Sequence, residues 1–299
     1  MKPTLLSITL GVLFASMCLP LQAQTDPNPA MNDPDKFAWQ MFIQVNARAT
    51  GTNALFETWA SDTDTFKMQP TFPTAPSPLA LHAAVVPVEG RQALQAAGHL
   101  LPQIPPGAPK KLEETRRNKA AFDFIVNNNL HKVSGLRAAF GKTLSFPIDS
   151  VEVKANWVPI EEIPTFTLNR VSVADAPTIF HVNTAGDGKR YALVAMHIIT
   201  KAVPNWTWAT FENEFNPARC DIIGCKDKFG APASVAPNPQ PEKGYPACAK
   251  TPALTALFAG AQWDAAFTHY CLKGSQADFI DNTGPVSYTH LTLPTNREV

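Results

Sequence analysis

The chain has 299 residues, a formal net charge of zero and only 17% charged side chains. So sparse and balanced a charge argues against nucleic acid and against an anionic membrane surface, both of which want a basic patch. Hydrophobic residues at 45% suffice for a sizeable core, and 28 prolines imply long ordered loops.

Residues 1–23 have the order of a secretory signal peptide: Lys2, an apolar run over 5–19, and Ala23 at the cleavage position. Met17 stands before Cys18 where a lipoprotein signal wants a small residue. No later run is long enough to span a bilayer. The expected mature protein is exported, periplasmic or extracellular, with one globular domain over 24–284.

Asp33-Pro34-Asp35 is a helix start, and Phe37, Trp39, Met41, Phe42, Ile43 and Val45 predict a buried helix ending near Asn46. Phe56, Trp59 and Phe66 mark a second short element. Residues 69–109 are proline-rich, which blocks helix and central strand, and read as a surface insertion with one helical turn over 92–97. Residues 110–129 predict a helix with Glu113 and Glu114 early and Phe122, Ile125 and Val126 on one side. Arg116, Arg117 and Lys119 would then sit on its solvated face. Leu130, Val133, Leu136 and Phe140 are spaced for another helix, closed by Gly141.

From 145 the period becomes two. Val151, Val153, Ala155 and Trp157 alternate with Glu152, Lys154 and Asn156, a half-buried strand. Phe166, Leu168 and Val171 suggest another strand and 179–182 a third. Residues 183–188 form a hairpin loop into 191–200, a strand apolar on both faces and so central. There Tyr191, Leu193, Ala195, His197 and Ile199 share one face. Pro204-Asn205 turns the chain, and 206–211 resumes with Trp206 and Trp208 side by side. Residues 253–267 suggest a helix and 269–280 a last strand. The fold class is α+β: a mainly antiparallel sheet from the second half, packed with helices from the first, and long proline-rich loops.

Four cysteines follow the leader: Cys220, Cys225, Cys248 and Cys271. An even number in an oxidising compartment suggests two disulfides. Of three pairings, Cys220–Cys225 and Cys248–Cys271 are preferred. Zinc is disfavoured, because no CxxC occurs and His269 is the one histidine nearby.

Residues 286–295, VSYTHLTLPT, can be encoded by a transposon-end adapter used in sequencing libraries. The expectation is that 285–299 is partly or wholly such read-through.

FAWQMFIQVN, VEVKANW, ALVAMHIITK with WTWATFEN, and LKGSQADFIDNTG resemble blocks of a family of uncharacterised exported bacterial proteins. Members often carry a c-type cytochrome CxxCH shortly after the last block. The resemblance implies a redox protein with covalent haem c in a longer chain and a periplasmic redox partner. This sequence itself holds no CxxCH and so no haem-attaching residues. The alternative is a non-enzymatic exported domain, stapled by disulfides, that binds a small ligand or a partner. A third reading is hydrolytic: Lys154, His197 and Glu212 could converge on adjacent strands as acid/base groups, although no G-x-S-x-G, HExxH or phosphate loop accompanies them.

Overall fold

A computed structural model describes residues 28–83, 112–217, 219–220, 224–232, 234–236 and 248–277, and the backbone of 280–281 and 284–285. The expected signal peptide, the helical turn at 92–97 and the adapter-like 286–295 lie outside the described residues.

The first long helix, Pro34–Val45, starts where proline can. The Asp33 carboxylate caps it by accepting the Lys36 N–H at 3.1 Å. A small hairpin follows, β1 (Arg48–Thr50) with β2 (Asn53–Ala54), then a 3-10 turn at Leu55–Thr58. The remaining strands are β3 (Ala60–Ser61), β4 (His82–Ala83), β5 (Leu112–Arg117), β6 (Val151–Pro159), β7 (Val182–Thr184), β8 (Arg190–Thr200), β9 (Thr207–Asn213) and β10 (Tyr270–Gln276). They form one sheet in the order β10-β9-β8-β6-β5-β3. Strand β4 lies beside β3 along β5, and β7 lies beside β9 along β8. Every pairing is antiparallel. A two-stranded hairpin, β11 (Ile280–Asp281) with β12 (Gly284–Pro285), follows. The fold is α+β with a mainly antiparallel sheet, as the patterning implied.

One face of the sheet carries the main core. Trp39 and Phe42 from the Pro34–Val45 helix pack on Phe211, with ring centroids 4.9 and 4.2 Å away. Val153, Ala155, Met196, Ile198, Tyr270 and Leu272 complete that layer. Gly230 allows a loop to close on this helix: a Cβ there would meet Trp39 Nε1 at 2.3 Å. Trp39 Nε1 donates instead to Asp227 at 2.8 Å. A second core lies on the other face, with Val158, Ile163, Phe166, Phe180, Ala192 and Val194.

A β-bulge decides which residues of β8 serve which core. Asn156 pairs with Ala195 but Trp157 pairs with Leu193, so Val194 is the extra residue. The alternation slips there. Tyr191 and Leu193 join Met196 and Ile198 in the main core, while Ala192 and Val194 enter the second. The single face expected for Tyr191, Leu193, Ala195, His197 and Ile199 is therefore corrected.

Four further expectations change. The strand expected at 179–182 is the end of a short helix, Ala176–Ile179, with β7 starting only at Val182. The predicted helix over 110–129 is two elements: β5, then a helix Lys119–Asn127 capped by Asn118. The stretch expected to be a strand through Phe166, Leu168 and Val171 is a short helix, Ile163–Phe166, followed by left-handed Leu168 and Asn169. Trp206 is also left-handed, with φ 66°, and sits in the turn against Phe146 rather than beside Trp208 in β9.

Arg116 is the reason β5 is a strand. Strand geometry sends Glu114 and Arg116 to the core face, under the proline-rich excursion. Arg116 is fully buried, not solvated. Its guanidinium donates to Glu114 Oε2 at 3.0 Å, to the carbonyls of Glu57, Trp59 and Pro78 at 3.0–3.2 Å, and to Ser77 Oγ at 2.6 Å. Glu114 also accepts the Ala80 N–H at 3.1 Å. The fork thus ties residues 57–59 and 77–80 to the sheet. Arg116→Met should cost about 3–5 kcal/mol, because it strands Glu114 and those carbonyls. Urea unfolding should show it, with Glu114→Gln/Arg116→Met losing less than the sum of the single variants.

Candidate functional site

The sequence candidates fall on one face of the sheet, opposite the main core. Lys154 of β6 is directly opposite His197 of β8, and His197 is opposite Thr210 of β9. Glu212 stands two residues along β9, opposite Ala195. The three are close in the sheet, yet each is paired with another residue. Lys154 meets Glu113 at 3.0 Å, Glu212 meets Lys273 at 3.3 Å, and His197 Nδ1 meets Thr210 Oγ1 at 3.0 Å. Arg117 and Glu152, 3.2 Å apart, extend this ionic row.

His197 is 4% exposed. Burial pushes its pKa down, the charges of Lys154 and Lys273 push it further, and it falls to about 3. The ring is therefore neutral near pH 7. Its Nε2 is buried with no hydrogen-bond partner. Such an imidazole keeps almost no proton at neutral pH and is poorly matched to general acid catalysis.

The cysteines pair as preferred. Cys220–Cys225 and Cys248–Cys271 have Cα separations of 4.9 and 5.8 Å. The first is sealed, with Arg219 Nη1 3.4 Å from Cys220 Sγ. The second ties a loop to β10.

A more strongly coupled cluster escaped the sequence reading. His181, 1% exposed, binds Asp264 through Nδ1 at 2.9 Å and Glu57 through Nε2 at 3.1 Å. Glu57 also accepts Asn183 Nδ2 at 2.7 Å and the Ala54 N–H at 2.7 Å. The His181 ring stacks on Phe267, centroids 4.7 Å apart. Burial alone would lower the His181 pKa, but hydrogen bonds and charge from Asp264 and Glu57 raise it to about 9. Burial alone would raise Glu57, yet His181 and its other donors hold it below its ordinary value. The signal was present in TIFHVN and ALFETWA, each a single ionisable residue in an apolar run, the criterion that singled out His197.

Both ring nitrogens of His181 are committed, so this cluster is a pin and not a ligand set. Among the described residues, no three His, Cys, Asp or Glu side chains group to hold a metal ion.

The triad gives a pH signature. A His with a folded pKa raised from 6.5 to about 9 stabilises fully below 6.5, and that contribution is lost as pH rises through about 9. The depressed Glu57 and Asp264 contribute above their ordinary values and lose that contribution as pH falls below them. Urea unfolding should therefore show stability declining between about pH 6.5 and 9, and His181→Gln should flatten that slope. Comparison with known proteins gives no relative: no family model, no curated protein and no solved structure matches the chain.

Proposed function

We propose that this chain is an exported, disulfide-stapled binding domain that docks a protein partner on the helix Val133–Ala139 and the residues just after it. One observation carries the reading. The spacing of Val133, Leu136 and Phe140 suits a core-facing helix, but here that side faces solvent. The three are 65%, 54% and 91% exposed, Ile148 is 73% exposed, and the helix buries no residue. An isolated helix this short is marginal in water, and a clustered exposed apolar surface marks an interaction site.

The surrounding charge narrows the partner. Lys132, Arg137 and Lys142 are exposed around this segment, and no acid occurs between His131 and Ile148. The complementary surface is apolar and rimmed by carboxylates. Two disulfides fit an oxidising compartment, as does the leader-like 1–23. The haem-bearing alternative rests on the family resemblance. Its thioether bonds would need cysteines outside this sequence, since those after the leader are held in the two disulfides.

Leu136→Glu/Phe140→Glu tests the reading. Photo-crosslinking from position 138 in the native cell envelope should yield one salt-sensitive adduct that the double variant loses at least tenfold. Its urea stability should stay within about 1 kcal/mol of the parent, as surface substitutions do. No adduct, flotation with anionic vesicles instead, or a loss above about 2 kcal/mol from a packed face would each overturn it. A haem band in protein from its native host would favour the redox alternative.

A further inference from the structure

The Cys248–Cys271 disulfide sits in surroundings unlike those of Cys220–Cys225. Cys248 is half-buried, whereas Cys271 is 2% exposed in the edge strand β10. Lys250 Nζ lies 2.8 Å from Cys248 Sγ and 3.9 Å from Cys271 Sγ, and donates to the Cys248 carbonyl at 3.0 Å. Glu214 accepts the Cys248 N–H at 3.3 Å and bonds His269 Nδ1 at 2.6 Å. A cation is thus fixed against the sulfur of the less buried cysteine, and the backbone of that cysteine is held in place. In the other bridge Cys220 and Cys225 are 0% and 5% exposed, so Arg219 has no incoming thiol to serve.

We propose that Cys248–Cys271 is a thiol–disulfide exchange site, opened at Cys248 by an external dithiol with Lys250 stabilising the sulfur anions. The incoming thiolate forms a new S–S bond to Cys248 Sγ. The Cys248–Cys271 bond breaks, and its electron pair leaves on Cys271 Sγ, which takes up a proton. The second thiol of the dithiol loses a proton and attacks its own sulfur in the mixed disulfide, releasing Cys248. The protein gains two electrons and two protons, and the dithiol becomes a disulfide. An ammonium beside a sulfur favours thiolate and speeds its departure. Burial moves the Lys250 pKa down to about 8, with Arg219 also lowering it while Glu214 and Asp227 oppose. It is therefore mostly charged at pH 7.

The test uses the full folded chain, with dithiothreitol and reduced glutathione as probes, followed by alkylation and peptide mass spectrometry. Cys248–Cys271 should open at least tenfold faster than Cys220–Cys225, with the glutathione adduct on Cys248. Lys250→Met should slow this about tenfold, Lys250→Arg should retain most of the rate, and Cys220–Cys225 should not respond. Equal rates for the two bridges, or Lys250→Met opening as fast as or faster than the parent, overturn the proposal. Should Lys250→Met not fold, the parent decides. Its rate per glutathione thiolate should fall as pH rises through about 8, where Lys250 discharges, and a flat profile overturns the proposal.

Discussion

Arg116 has no route to water, and every segment it touches is placed by that fact. A buried guanidinium is tolerable only when its donors are met by carboxylate or carbonyl oxygen. Here the carbonyls come from Glu57, Trp59 and Pro78, and the charge from Glu114. The chain around Glu57 is therefore fixed against β5. That in turn aims the Glu57 carboxylate at His181, and His181 at Asp264. Asp264 caps the 3-10 turn Ala265–His269, which leads directly into β10. A polar spine thus joins residues from the start, middle and end of the chain. Removing one member leaves the next buried without its partner, so the spine behaves as a unit.

Apolar packing supplies bulk to this frame but less address. Trp39, Phe42 and Phe211 could stack in several registers, and volume-conserving swaps would keep the layer filled. The bulge at Val194 fixes which residues of β8 enter which core, because it puts Tyr191 and Leu193 on the face of Met196 and Ile198. The sheet edge at β10 is managed separately. The Lys226 N–H donates to the Lys273 carbonyl at 2.8 Å, and Cys271 is tethered to Cys248. A bare edge would template pairing with another chain, and these contacts occupy it.

Much of this was legible because one local rule decided it. Asp33-Pro34 could start a helix and little else. Val151 to Trp157 alternate cleanly, and the cysteine pairs were preferred on spacing. The misread stretches share a different cause. EETRR has the composition of a solvated helix, and only its partners make it a strand with a buried arginine. The period of Val133, Leu136 and Phe140 shows that they share a face, but not what that face meets. Trp206 has an ordinary strand composition around it and a left-handed backbone that no local pattern announces. The candidate trio was expected to converge on adjacent strands, and the register puts it on one face. That Lys154 and Glu212 are each tied to another ion depends on the neighbouring strands, which the sequence does not order.

His181 and His197 are both almost wholly buried, yet they hold opposite charge states. Two carboxylates flank the first and two lysines bear on the second. Desolvation works against protonation in both: the carboxylates overturn it at His181, and the lysines add to it at His197. The charged ring is bonded at both nitrogens and is fully used in holding the fold. The neutral ring is left with a silent Nε2 in a surface that solvent scarcely reaches. Neither offers a proton to a substrate near neutral pH. Chemistry needs a group that is both activated by charge and reachable, and Cys248 beside Lys250 meets both conditions, where a loop closes over the edge strand. Reactivity in this fold thus lies where the sheet runs out of strands, because the interior has already committed its charges to one another.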